Sequence, residues 1–380
     1  MHAANEVAPR PGPTRDSLRR FARAARRVIA LSEAGILGFL VLLALVFYAI
    51  EPLFLSSSNL RAILVAMSFV GIIAVGQTLL LVGGEFDLSV GSNAGLSAVC
   101  SGWLMTSGGA SVTLGIAGGL AVGAGVGLVN GLVVVRLGIP AFIATLGMYY
   151  TAAGVTQIIT NGYPIYPLPD SVSTIGQSQV LFGLGWSFVI LIVLGVFFDL
   201  ALRRTTFGRN LYATGGNREI ARLVGINTDT YKIVSFVITG TLAAVAGMLV
   251  MGSLGSATTS VGQGWELAVI AGVVVGGVSL FGGIGTVLAG VIGILLLQVV
   301  QSGLVVVGVS ANWQQVAVGT IMVLAVGLDL LRRRVQSGEA QNVRRRFTIR
   351  RNAPHRVALS AGATPDMSVD MSPTKQKEER

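Results

Sequence analysis

Three short segments of this sequence carry side chains able to do chemistry. The first, Gly83-Gly84-Glu85-Phe86-Asp87-Leu88-Ser89-Val90-Gly91-Ser92, sets two carboxylates beside hydroxyls between apolar runs. Carboxylates at a membrane boundary are costly unless solvated, paired or used to cap a helix. Asp87 can accept backbone N–H groups at the start of the run that follows. It can also belong, with Ser89 and Asn93, to a polar pathway or gate, and the two roles are compatible. The second segment is Gly262-Gln263-Gly264-Trp265-Glu266, with Trp313-Gln314-Gln315 further on. Tryptophan favours a membrane interface as an anchor. Trp265 beside Glu266, or Trp313 beside Gln314, also suits a sugar: the ring stacks on C–H groups while the polar neighbour binds hydroxyls. The third is the polar loop 203–232. There Asn217 fits an N-cap and Gly225 a C′ position, framing a two-turn helix over 218–224. Ile220, Leu223 and Val224 give it one apolar face, with Arg218, Glu219 and Arg222 free to point elsewhere. Such a face either rests on lipid headgroups or docks into another protein.

Other chemistries are excluded by what is missing. His2 and His355 are the only histidines and both lie in polar tails, and Cys100 is the only cysteine. No metal centre, disulfide or Ser-His-Asp triad can be built inside the body from that set. The lysines are Lys232, Lys375 and Lys377, none in a nucleotide-binding Gly-rich loop, so the chain does not hydrolyse ATP by itself. An embedded enzyme would have to work with Asp87, Glu85, Glu266 or a serine and no His or Lys base nearby.

The elements that hold these segments must be membrane helices. Of 380 residues, 52% are hydrophobic, 12% are charged and 51 are glycine, far from an ordinary soluble domain. Apolar runs long enough for a helical span fall at 34–50, 62–82, 88–106, 111–135, 139–159, 180–198, 233–253, 265–283, 285–307 and 313–331. The polar content of 88–106 and 265–283 suits broken or re-entrant helices. Ten spans place both termini on one side. With that side cytoplasmic, 26 of the 27 Lys and Arg residues are inside and only Arg61 is outside. The chain therefore divides into a basic N-terminal segment (1–33), a membrane body (34–331) and a disordered tail (332–380). Residues 17–31 form either an interfacial helix or a topology-setting basic flank. Gly115, Gly119, Gly123, Gly127 and Gly131 recur every four residues, a small-residue stripe for close helix packing.

At these segments the sequence resembles the membrane permease subunits of bacterial ABC importers for monosaccharides, of the ribose, xylose and galactose type. The likeness rests on 83–92, on Gly-Ile-Pro-Ala-Phe-Ile-Ala-Thr-Leu-Gly (138–147), on 208–226, on Gly-Trp-Glu-Leu-Ala-Val-Ile-Ala (264–271), on Ser-Leu-Phe-Gly-Gly-Ile-Gly-Thr (279–286) and on Trp313-Gln314-Gln315. It covers about 35–331. One departure is local: Glu85 stands where the family has its second glycine and Phe86 where it has isoleucine. The resemblance implies an all-α polytopic membrane bundle of about ten helices, like the vitamin B12 importers, in the bacterial inner membrane. It implies a second permease subunit (the same chain or a paralogue), a cytoplasmic ABC ATPase and a periplasmic sugar-binding protein as partners, with no cofactor and no nucleic acid. The ATPase would be engaged by Gly208, Arg209, Gly215, Gly216, Asn217, Arg222, Gly225 and Ile226. Asp87, Ser89, Asn93, Trp265, Glu266, Trp313 and Gln314 would serve translocation or gating. Related permeases differ in cargo, so another small polar solute such as an autoinducer or nucleoside is the alternative. An ion-coupled carrier fits less well, because every carboxylate of the body falls near a span end.

Overall fold

The computed structural model describes residues 33–181 and 183–336. The stretch 17–31 and the tail beyond 336, with the expectations attached to them, lie outside that range. The elements that concern function all belong to one compact unit ending at Arg332. In chain order they are α1 (Glu33–Ile50), a 3-10 turn (Pro52–Leu55), α2 (Ser57–Val82), α3 (Val90–Met105), α4 (Val112–Arg136), α5 (Ala141–Thr160), α6 (Asp170–Gln177) and α7 (Trp186–Arg204). They continue with α8 (Thr206–Gly216), α9 (Arg218–Leu223), α10 (Thr228–Leu254), α11 (Trp265–Val275), α12 (Val287–Val306) and α13 (Ala311–Gln336). Among the described residues there is no named strand, only isolated bridges such as Ile165 with Ala257.

Local sequence sets six of the helix starts. The side chains of Ser56, Ser111, Thr205, Asn217, Asn227 and Thr286 each accept a backbone N–H three residues on, which satisfies donors that the helix itself leaves free. Ends are set by left-handed residues at Asn161 and Gly255. The core forms around α2, in which every residue from Val70 to Val82 is buried. Helix α3 is likewise buried throughout from Val90 to Val99. Helices apolar on all sides belong in the middle of a bundle. Around them, α1, α5 and α7 turn large apolar side chains outward, among them Phe39, Leu42, Phe142, Ile158, Val193 and Phe197. Outward apolar faces are stable only against lipid or another chain.

Each of the ten apolar runs coincides with a helix, and six of these, α2, α4, α5, α7, α10 and α12, are long and apolar enough to cross a membrane. Two of the others are short for a physical reason. Helix α3 has 16 residues, about 24 Å, and α11 has 11, about 17 Å, against a hydrocarbon layer of about 30 Å. The run 265–283 is therefore broken: its helix ends at Val275, and Gly277, Gly282, Gly283 and Gly285 then take positive φ in a turn that leads to α12. The run 88–106 is continuous but begins only after an irregular segment, 83–89. An eight-residue helix, α6, occupies the connection between α5 and α7.

Candidate functional site

The glycine stripe positions everything else. All five of its glycines are buried on the face of α4 that meets α3 and α10. A methyl group on Gly127 would lie 2.3 Å from the carbonyl oxygen of Phe236, and one on Gly123 2.6 Å from that of Gly240. The α10 backbone therefore approaches α4 as closely as glycine allows. Into this contact reaches Asn93 of α3, whose amide donates to the carbonyls of Gly123 and Gly240, both at 3.3 Å, while Ser97 donates to its oxygen at 3.2 Å.

Asp87 is fully buried in the irregular segment before α3. One carboxylate oxygen accepts the backbone N–H and the hydroxyl of Ser89, both at 2.7 Å, and the other accepts from Asn130 of α4 at 3.3 Å. The N-cap position itself is Ser89, without a capping side-chain bond of its own. Asp87 thus acts two residues earlier than a simple cap, holding the turn that leads into α3. Asp87, Ser89 and Asn93 all have 0% exposure, so the structure sets them in the interior of the chain.

The first turns of the two short helices meet. A methyl group on Gly91 would fall 2.2 Å from the carbonyl oxygen of Gly262 and 2.7 Å from Glu266 Oε2. That Glu266 oxygen is buried without a hydrogen-bond partner, while Trp265 packs against the main apolar core. Trp313 stands 65% exposed at the start of α13, and Gln314 donates back to the Val309 carbonyl at 3.3 Å. Beside the α3–α11 contact lies a cavity of about 140 Å³ between α3, α5 and the connection 255–264. Its polar wall comprises Ser92, Tyr149, Thr156, Gln157, Thr259 and Gln263, hydroxyls and amides without a formal charge. None of the seven residues expected for translocation or gating is in that wall. Sequence reasoning missed it because its residues come from three separated segments. The i, i+4 recurrence of Thr145 after Ala141, and of Thr156 and Thr160 after Ala152, marks the inward face of α5 and was the available signal.

At one end of the bundle, the segment after α2, helices α8 and α9 and the 276–286 turn gather. Gly283 donates to the Val82 carbonyl at 2.9 Å, and Gly215 comes so near the same carbonyl that any side chain there would overlap it. Gly208 is equally tight against Leu202, whereas Gly216 has open space beside it. Tyr212 donates to the Gly285 carbonyl; burial raises the pKa of its phenol, which therefore stays a donor. Helix α9 spans Arg218–Leu223, with Asn217 accepting the Ile220 N–H at 3.0 Å. Its far end is a complete Schellman closure: Gly225 (φ 85) donates to Arg222, and Ile226 to Ala221, each at 3.0 Å. Ile220, Leu223 and Val224 are 59%, 86% and 70% exposed, an apolar face without cover among the described residues. Arg209 is exposed nearby. Arg218 and Arg222 are not free: both hold Asp229 of α10, at 2.9 and 2.6 Å, and Arg222 also donates to Thr228 at 3.0 Å. Behind this end, Lys232 of α10 pairs with Glu85 at 2.5 Å, with 7% and 16% of their side chains exposed. Neither has a local sequence signal for the pairing. The usable clue is that Lys232 is the only lysine of the membrane body and Glu85 one of its few carboxylates.

Comparison with known proteins fits this architecture. A family model described as the permease component of branched-chain amino acid transport systems matches residues 59–326. The galactose/methyl galactoside import permease protein MglC of Escherichia coli K12 is 36% identical over 320 residues, covering 80% of this chain and 95% of that protein. The L-arabinose permease protein AraH of Azospirillum brasilense is 38% identical over 328 residues, covering 85% and 95%. The ribose import permease protein RbsC of Escherichia coli K12 is 36% identical over 308 residues, covering 79% and 94%. With membrane-capable helices and a model match through most of its length, this multi-pass membrane protein belongs to that family of transport-system permease components.

Proposed function

We propose that the chain is the permease subunit of an ABC importer that carries a monosaccharide across the bacterial inner membrane. The observation that carries this reading is the chemistry of the cavity. A branched-chain amino acid, the cargo named in the family description, brings a carboxylate and an ammonium into a low-dielectric site, and each needs a charged or strongly dipolar partner. The wall formed by Ser92, Tyr149, Thr156, Gln157, Thr259 and Gln263 offers hydroxyls and amides, which match a neutral polyol. The volume of about 140 Å³ holds roughly ten water-sized spheres, the scale of a pentose or hexose. Relatives named for galactose, arabinose and ribose agree with the same class.

The remaining parts follow from that reading. The body, 34–331, is a vitamin-B12-importer-like bundle of about ten spans between a basic N-terminal segment and a tail, with both termini cytoplasmic. Two copies, or one copy and a paralogue, pair. A periplasmic binding protein delivers the sugar, and a separate ATPase seats α9. The uncovered Ile220, Leu223 and Val224 are the docking face, and Asn217 and Gly225 hold its shape. ATP binding draws the two ATPase subunits together, the seated helices follow, and close packing along the glycine stripe passes the motion on as rigid-body rearrangement. Trp265, Glu266, Trp313 and Gln314 sit outside the cavity wall and serve gating, and Asp87, Ser89 and Asn93 hold the moving pieces together.

Purified with its ATPase and binding protein in proteoliposomes, the assembly should take up labelled galactose, ribose or arabinose on addition of ATP and leave labelled leucine outside. Leucine uptake without sugar uptake would refute the cargo. Arg222→Glu should weaken ATPase binding and sugar-stimulated hydrolysis together; unchanged values would refute the docking role of α9.

A further inference from the structure

Buried ion pairs are poor stabilisers. Desolvation offsets most of their attraction, and replacing both partners by neutral residues of similar size is often harmless. The pair Lys232–Glu85, with 7% and 16% side-chain exposure, therefore calls for a reason other than stability. Its place in the fold supplies one. Arg218 and Arg222 grip Asp229 in the first turn of α10. Lys232, three residues on and so on the neighbouring part of the same face, grips Glu85. Two residues further, Asp87 holds Ser89 and Asn130, which fixes where α3 starts against α4. Gly84 and Gly282 flank the same turn against Gly215, so that turn is packed yet held by few side chains.

We infer that the Glu85–Lys232 pair is the positioning contact that passes movement of α9, through the first turns of α10, to the start of the short helix α3. The inference rests on α9 being the seat of the ATPase. With the pair in place, displacement of α9 carries the 83–89 segment with it. Without it, α10 still holds α3 through Asn93 and Gly240, but the 83–89 segment no longer follows the first turn of α10, and fewer hydrolysis events open the cavity that Ser92 borders.

The test is the amount of sugar imported per ATP hydrolysed by the complete assembly in proteoliposomes, with a mixture of labelled galactose, ribose and arabinose as probe. Glu85→Gln with Lys232→Met removes both charges and leaves no unpaired ion. This double variant should bind the ATPase as the wild type does and hydrolyse ATP, but import about fivefold less per ATP, the lower end of usual allosteric couplings. The reversed pair, Glu85→Lys with Lys232→Glu, should restore the wild-type ratio. A neutral double variant with the wild-type ratio, or a reversed pair no better than the neutral one, overturns the inference. So does a neutral double variant that fails to fold, because the pair would then be holding the structure up. Leu223→Asp, on the exposed face of α9, reads the premise separately: ATPase binding as tight as in the wild type refutes the docking role of α9, and this inference with it.

Discussion

At the scale of single residues, glycine does in this chain what large side chains do in a soluble core: it decides which surfaces meet. In lipid there is little hydrophobic gain from joining helices, so association depends on close packing and on hydrogen bonds across the contact. Gly127 shows the first, with a Cβ there landing 2.3 Å from the Phe236 carbonyl, while Gly125 on the same helix has nothing within 4 Å. Gly127→Ala should therefore cost about 1–3 kcal/mol and lower the melting temperature of the purified protein, and Gly125→Ala should leave it unchanged; a scanning fluorimetry comparison in detergent reads the difference. Asn93 shows the second. An Asn in an apolar run reads equally as pathway or as glue, and only the placement of Gly123 and Gly240 around its amide separates the two. The caps at Asn217 and Gly225 were legible, because cap chemistry is local. The Glu85–Lys232 pair was not, because its members are 147 residues apart and no local rule brings them together.

At the scale of elements, helix existence was legible and helix length was not. Apolar runs predict where helices form, but the run 265–283 leaves helical geometry after Val275, and the helix in 88–106 begins only at Val90, after an irregular segment. The reason is what fills the interior: the irregular 83–89 segment is satisfied by Asp87, Ser89 and Thr145, and the 276–286 turn by Tyr212 and Asp329. Irregular backbone inside a membrane protein is tolerated only with such internal partners. Helix α9 differs in that no described residue covers its apolar face. Leu223, 86% exposed, contributes little to the stability of the isolated chain, so Leu223→Asp should leave the melting temperature unaltered. It should lower affinity for the ATPase by about tenfold or more, since a buried interface anchor is worth about 1–2 kcal/mol or above. Copurification and surface binding measurements on the same preparation separate these outcomes, and a fall in melting temperature without loss of ATPase binding would contradict the role given to α9.

At the scale of the whole molecule, composition and packing are those of a transport-system permease. Its charge is concentrated in tails and in one end of the bundle, its interior is glycine-packed, and the cavity between α3, α5 and the 255–264 connection is lined by neutral polar groups. The sugar class was legible through the family resemblance, but the cavity was not, because its wall is assembled from α3, α5 and the 255–264 connection rather than from one motif. The central claim is that the work is done by ATP hydrolysis on a separate subunit. The most direct measurement is sugar uptake into proteoliposomes that hold this permease, its ATPase and its binding protein, with ATP supply and ion gradients varied independently. Uptake should stop when ATP is withheld or the ATPase is omitted and should persist undiminished when an uncoupler collapses the gradients. Uptake that continues without the ATPase, or that vanishes with the uncoupler while ATP hydrolysis goes on, would contradict the account.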